Sequence, residues 1–297
     1  MKNQRRAMAW GLVTVLLWST VATAFKLSLR HLEPVQLLLI ASLVSLLVMG
    51  AVLAVRGRLH LVFQATPRQV GTSLALGVLN PFLYYLVLFK AYDLLPAQEA
   101  QPLNYTWAIT LTLLSIPILG QRPTWRDGLA TLISYAGVVV IATRGDILSL
   151  RFASPLGVGL ALGSTIIWAL YWLFSARAAR DGRDPVAALF LNFLFALPFI
   201  LMACLFTAGL PTNLNGLLAA AYVGVFEMGV TFITWFTALR LAESASRVGN
   251  LIFISPFLSL VFIHYLVGEA ILASTVWGLV CIIGGLALQQ LSREKTG

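Results

Sequence analysis

One stretch of the chain concentrates groups able to hold a ligand. Ser164, Trp168, Tyr171, Trp172 and Ser175 recur at three- and four-residue spacing, so in a helix they share a face of rings, indole N–H, phenol and hydroxyl groups. Asn104, Tyr105 and Trp107 head a second apolar run, Asn80 and Tyr84 stand one turn apart in a third, and Trp18, Glu227 and Trp235 fall inside others. Such groups recognise molecules rather than break bonds. A pocket walled by aromatic rings with a few amides and hydroxyls suits an amphipathic organic substrate with an apolar or aromatic body. The same stripe also serves an ordinary helix–helix contact. Glu227, in VFEMGVTFITW, can relay protons, bind an ammonium group, cap a broken helix, or sit protonated against a neighbouring helix.

Enzyme chemistry has no comparable footing. HExxH, GxSxG and the phosphate-binding P-loop are absent, and the three histidines, at 31, 60 and 264, form no ligand cluster. No catalytic residue, metal or cofactor is expected.

The elements that must position these groups are membrane spans. With 59% hydrophobic and 10% charged residues, the 297-residue chain is too apolar for a soluble protein of its length. Runs of about 20 apolar residues, the length a bilayer core requires, recur throughout. The expected fold class is all-α, a polytopic membrane protein with ten transmembrane helices near 8-29, 35-55, 70-91, 98-119, 125-143, 155-176, 186-208, 215-238, 246-267 and 271-291. The first run is expected to be a true span, because Trp18 and Lys26 follow where a signal peptide would have small residues and a cleavage site. Cys204 and Cys281 both lie in apolar runs, so no disulfide is expected.

The formal charge of +9 could suggest nucleic acid, but the basic residues occupy short loops between spans. With ten spans, Lys26, Arg30, Lys90, Arg144 and Arg151 fall on one side and the other fifteen of the 20 Lys and Arg residues on the side of the termini. The positive-inside rule then puts both termini in the cytoplasm.

The halves repeat. Trp18 and Trp168 are 150 residues apart, Pro34 and Pro185 are 151 apart, Gly120-Gln121 matches Gly268-Glu269, and Gly128-Leu129 recurs as Gly278-Leu279. Two repeats, 1-148 and 149-297, with five spans each must have opposite orientations. This 5+5 inverted repeat is an architecture of secondary transporters, with the substrate site near the midplane.

Asn80-Pro81, Pro102, Pro117, Pro198 and Pro256 interrupt spans. Gly159 and Gly163 form a GxxxG spacing suited to close helix approach. Trp10, Trp125 and Trp277 lie near span ends, as an interfacial belt requires, whereas Trp18 and Trp168 lie at mid-depth and should face the bundle interior. Lys26, Lys90, Glu99, His264 and Glu269 are close enough to span ends to reach headgroups, and Lys26 and Glu99 could flank a pocket mouth.

Trp18 to Lys26, WSTVATAFK, resembles the first-helix signature of EamA-type proteins of the drug/metabolite transporter superfamily, and Gly268-Glu269 resembles the close of that family's repeat. Within the superfamily, LWST at 17-20, LNYTW at 103-107, GQRPTW at 120-125 and IWALY at 167-171 look most similar to YddG-type exporters of aromatic amino acids. The resemblance implies a bacterial inner-membrane exporter of aromatic or other neutral amino acids, working as a monomer by alternating access. It implies a central cavity lined by helices one, three, four, six, eight and nine. By matching motif it favours Trp18, Tyr105, Trp107 and Trp168, and by position it admits Asn80, Tyr84 and Trp235. Glu227 departs from the pattern. It keeps open an alternative, an exporter of hydrophobic cations or drugs with Glu227 as counter-charge.

Overall fold

A computed structural model describes residues 2–120, 125–148, 152, 154–179, 182–243 and 248–294. The main helices are α1 Gln4–Leu29, α2 Pro34–Val55, α3 Pro67–Leu94, α4 Ala97–Tyr105, α5 Trp107–Leu119, α6 Trp125–Ala142, α7 Pro155–Ala178, α8 Pro185–Thr207, α9 Leu214–Leu241, α10 Leu251–Val267 and α11 Ala273–Glu294. No strand occurs among the described residues. Seven of these helices, α1, α2, α3, α6, α7, α8 and α9, are long and apolar enough to cross a bilayer, and shorter apolar helices accompany them. Gln121 and Arg122, the stop expected after the fourth span, lie outside the described residues. So do Arg151, Arg180, Arg247 and Lys295 of the charge pattern.

Local sequence explains where helices begin, break and end. Side chains of Asn3, Thr66, Ser154, Asp184 and Asn213 accept backbone N–H groups at the starts of α1, α3, α7, α8 and α9. Proline occupies the first turn of α2, α3, α7 and α8, where its missing N–H costs nothing. Asn80 adopts φ −149° and ψ 119° in the middle of α3, breaking it as Asn80-Pro81 leads one to expect. The expected fourth span is two helices meeting at Thr106, which puts Asn104 and Tyr105 at the end of α4 and Trp107 at the start of α5. Gly120 and Gly268, paired in the repeat, end α5 and α10 in the left-handed region at φ 67° and 84°.

The outer surface is apolar, with Leu47, Val55, Leu132 and Phe206 largely exposed, as lipid contact demands. Interior hydroxyls pair across helices. Thr14 donates to Thr234 at 2.7 Å, Thr110 meets Thr165 at 2.9 Å, and Ser45 donates to the Met228 carbonyl at 2.8 Å. Helices α6 and α11 approach each other closely through their backbones. A Cβ on Gly137 would lie 2.4 Å from the Gly278 carbonyl oxygen, and one on Gly285 would lie 2.1 Å from Ser134 Oγ.

The GxxxG expectation is corrected. A Cβ on Gly159 or Gly163 would meet nothing within 4 Å, because α7 turns Ser164, Thr165 and Trp168 inward and these glycines away from neighbouring helices. Trp10, Trp125 and Trp277 are exposed, and Trp168 is buried.

Candidate functional site

Trp168 is the hub of an aromatic cluster at the centre of the bundle. Its ring stacks on Tyr84 at a centroid distance of 4.4 Å and on Tyr171 at 5.7 Å, and meets Trp107 and Trp172 edge-on at 6.5 and 5.7 Å. Trp18 packs against Trp235 at 5.4 Å. The hub is held by a polar chain across three helices. Tyr84 hydroxyl reaches Asn104 Oδ1 at 3.4 Å, Asn104 Nδ2 donates to Ser164 Oγ at 2.9 Å, and Ser164 donates to the Ala161 carbonyl at 2.7 Å. Asn104 thereby spends its amide fixing α3 and α7 on either side of α4.

Glu227 occupies a widened turn. Across Val223–Val230 the α9 backbone has π-helical hydrogen bonding, and the Thr231 hydroxyl takes up the carbonyls of Phe226 and Glu227. The Glu227 carboxylate accepts a hydrogen bond from the Tyr85 hydroxyl at 3.1 Å and has the Trp18 indole as a second partner, while its Oε2 is buried without a hydrogen bond. A carboxyl group so placed has one oxygen available to a cationic or hydrogen-bond-donating ligand.

These groups enclose a cavity of about 90 Å³. Its walls come from α1 (Trp18, Val21, Ala22, Phe25), α3 (Tyr84, Leu88, Tyr92), α4 (Gln101, Asn104, Tyr105), α5 (Trp107), α7 (Trp168), α9 (Glu227, Phe232) and α10 (Ile252). Trp18, Tyr84, Asn104, Tyr105, Trp107, Trp168 and Glu227 of the sequence-derived set thus share one wall system. The other four stand elsewhere. Trp235 is behind Trp18, Asn80 is fully buried at the break in α3 beside the Tyr171 hydroxyl, and Tyr171 and Trp172 line a second cavity. Sequence reasoning passed over Tyr85, Tyr92, Phe25 and Phe232. Tyr85 follows Tyr84 and was legible as a polar aromatic group, but its direction depends on the break at Asn80.

At the end remote from the N-terminus the bundle is cross-tied. Glu269 accepts the Ala97 and Gln98 backbone N–H groups at 2.8 and 3.1 Å, capping α4, which begins after Pro96 without a side-chain cap of its own. Gln98 bonds the Ala270 carbonyl and the Leu272 N–H, and Lys26 Nζ donates to the carbonyls of Tyr92 and Leu95. Glu99 pairs with Arg144 at 2.8 Å. Glu269 is therefore a helix cap rather than a headgroup contact, because the first turn of α4 offers it two N–H groups.

The fold and the cavity can be set beside known proteins. A model of the EamA-like transporter family matches residues 5–143 and again residues 155–289. The chain belongs to the EamA-like transporter family. It is a multi-pass membrane transporter, not an enzyme, and its partners are a small-molecule substrate and the surrounding lipid. As an EamA-like protein it is 26% identical over 290 residues to the aromatic amino acid exporter YddG of Ancylobacter novellus, covering 96% of this chain and 97% of that one. It is 28% identical over 279 residues to YddG of Salmonella typhimurium, covering 86% and 91%. An uncharacterized transporter of Archaeoglobus fulgidus is 23% identical over 92% of this chain and 95% of its own. A solved crystal structure aligns along 97% of this chain and 99% of its own at 24% identity, with a TM-score of 0.69, which supports the fold.

Proposed function

We propose that this EamA-like protein exports aromatic, and related neutral, amino acids across the bacterial inner membrane by alternating access. In this reading ten spans form two inverted five-helix repeats, 1-148 and 149-297, with both termini cytoplasmic. The α4–α5 and α10 segments face each other across the centre, and a single chain suffices. The observation that carries the proposal is the cavity in which Trp18, Tyr84, Trp107 and Trp168 supply ring faces while Glu227 keeps a partnerless oxygen. Rings take the apolar body of the substrate, and the carboxylate takes its ammonium group.

At about 90 Å³ the cavity is smaller than the ~150 Å³ that holds benzene, so the walls must part to admit an aromatic amino acid. The cross-ties at Glu269 and Lys26 close the far end, which suits a carrier in which opening at one end accompanies closure at the other. Purified protein in liposomes is expected to carry labelled tryptophan or phenylalanine down a gradient and to show counterflow. Flux equal to that of empty vesicles with folded protein would refute the assignment.

The partnerless oxygen of Glu227 also favours a second reading, export of hydrophobic cations. Glu227→Gln separates the two. Loss of cationic-dye resistance with amino-acid flux retained supports the second reading, and the reverse supports the first.

A further inference from the structure

A second cavity, of about 200 Å³, lies between α7, α8 and α9 on the side of the chain termini. Most of its wall is apolar, and Phe232 belongs to the walls of both cavities. The Phe232 ring stands 6.3 Å from Trp168 on one side and 6.5 Å from Phe236, a wall of the second cavity, on the other. The two cavities thus share this ring as a wall.

The second chamber has polar groups that the protein leaves unused. Trp172 Nε1, Arg183 Nε and Asn192 Oδ1 are buried without a hydrogen-bond partner, and all three residues line this chamber. The Tyr171 hydroxyl hydrogen-bonds the Ser175 and Asn192 side chains. Arg183 is fixed, because its Nη1 donates to the Gln69 carbonyl at 3.3 Å and to Ser73 Oγ at 3.2 Å at the start of α3. Asn192 is 4% exposed. A buried polar atom with no partner is costly, and three such atoms around one cavity mark a place prepared for a polar ligand group.

Their types define the ligand. Arg183 and Trp172 are donors on the wall of one chamber, and a guanidinium N–H together with an indole N–H suits a carboxylate. Asn192 Oδ1 is an acceptor, suited to an ammonium group. The apolar remainder, with Phe232 and Phe236, suits a hydrocarbon or aromatic body. The volume exceeds the ~150 Å³ of a cavity that holds benzene.

Resting on the transport reading above, we infer that this chamber is a second binding site for a zwitterionic amino acid, separated from the central cavity by Phe232 and occupied before it when substrate comes from the terminal side. Transport then passes substrate from Arg183, Trp172 and Asn192 to the Trp168 cluster as the Phe232 ring moves aside.

The test pairs equilibrium binding of radiolabelled tryptophan to the purified full chain with flux in liposomes. Wild type is expected to bind two equivalents. Trp172→Phe with Asn192→Leu keeps the apolar wall, and should leave one equivalent while weakening the affinity of the lost site about tenfold or more. The retained equivalent shows that the variant is folded. Tryptamine, which lacks the carboxylate, should compete at one site alone. One equivalent in wild type, or two unaltered equivalents in the double variant, overturns the second site while tryptophan flux keeps the transport reading. Neither binding nor flux of tryptophan in folded wild type overturns both.

Discussion

Replacing Glu269 with alanine tests whether the ties at the end remote from the termini hold that end shut. The carboxylate reaches from the turn after α10 to two N–H groups in the first turn of α4, at 2.8 and 3.1 Å. Loss of an N-cap costs about 0.5–2 kcal/mol, and loss of a negative charge at a helix N-terminus adds about 0.3–1 kcal/mol. Gln98 and Lys26 still tie the same region, so about 1–2 kcal/mol is expected to be specific to the closed state. At 1.4 kcal/mol per factor of ten, the population open at this end should rise about fivefold to thirtyfold. The assay places a cysteine at Ala22, on the wall of the central cavity, after Cys204→Ser and Cys281→Ser, and measures its labelling by a membrane-impermeant thiol reagent from the side opposite the termini. A rise in labelling rate in that range supports the reasoning, and Glu269→Gln should give an intermediate value. An unchanged rate in folded protein would refute it, since the cap would then contribute equally in all states.

Trp107→Ala and Trp168→Ala should each lower tryptophan flux with membrane insertion intact, whereas Trp10→Ala, at an exposed position, should leave flux near wild type; equal losses from all three would contradict the distinction by depth. Gly278→Ala should destabilise the protein by about 1–3 kcal/mol, because its Cβ would meet Ile141 Cγ1 at 2.4 Å, while Gly159→Ala, in open space, should be neutral or slightly stabilising in a detergent thermal-stability assay. Burial would raise the Asp184 carboxyl pKa, but the N–H groups of Ala187 and Val186 and the Arg58 guanidinium at 2.7 Å outweigh it and hold the carboxyl below its usual range. A depressed folded-state value stabilises above the unfolded carboxyl pKa of about 4 and is lost as pH falls through the folded one. Asp184→Asn should therefore flatten the acid limb of a stability–pH profile while changing little once the pH lies below the folded-state value.

The sequence made the aromatic centre legible because a tryptophan at mid-span has few places to go. Trp18, Trp107 and Trp168 follow from depth and residue type, and the cavity brings them together. Direction was harder. Trp168 and Trp172 lie one turn apart on one face and touch edge-on at 5.7 Å, yet they wall different chambers, both of which Phe232 of α9 also lines. A phenylalanine among 17 gives no sign of that position. Asn80 and Tyr84 were grouped by helical spacing, but the extended backbone at Asn80 ends the periodicity there and sends its side chain away from the cavity. Gly159 and Gly163 had the familiar spacing and no neighbour, whereas Gly137 and Gly278, which do touch, lie on different helices and show no motif. Periodicity describes one helix; a partner's choice of face belongs to the assembled bundle.

The contact between α6 and α11 bears on movement. Their backbones meet directly at Gly137, Gly278 and Gly285, and neither helix contributes to either chamber. Where these glycines bring backbone against backbone, sliding one helix past the other would drive carbonyl oxygens into opposing atoms. The pair is expected to act as a stator. Rearrangements that change access must run through the helices that wall the chambers, and a staple joining α6 to α11 should leave turnover intact where a staple joining α4 to α10 stops it.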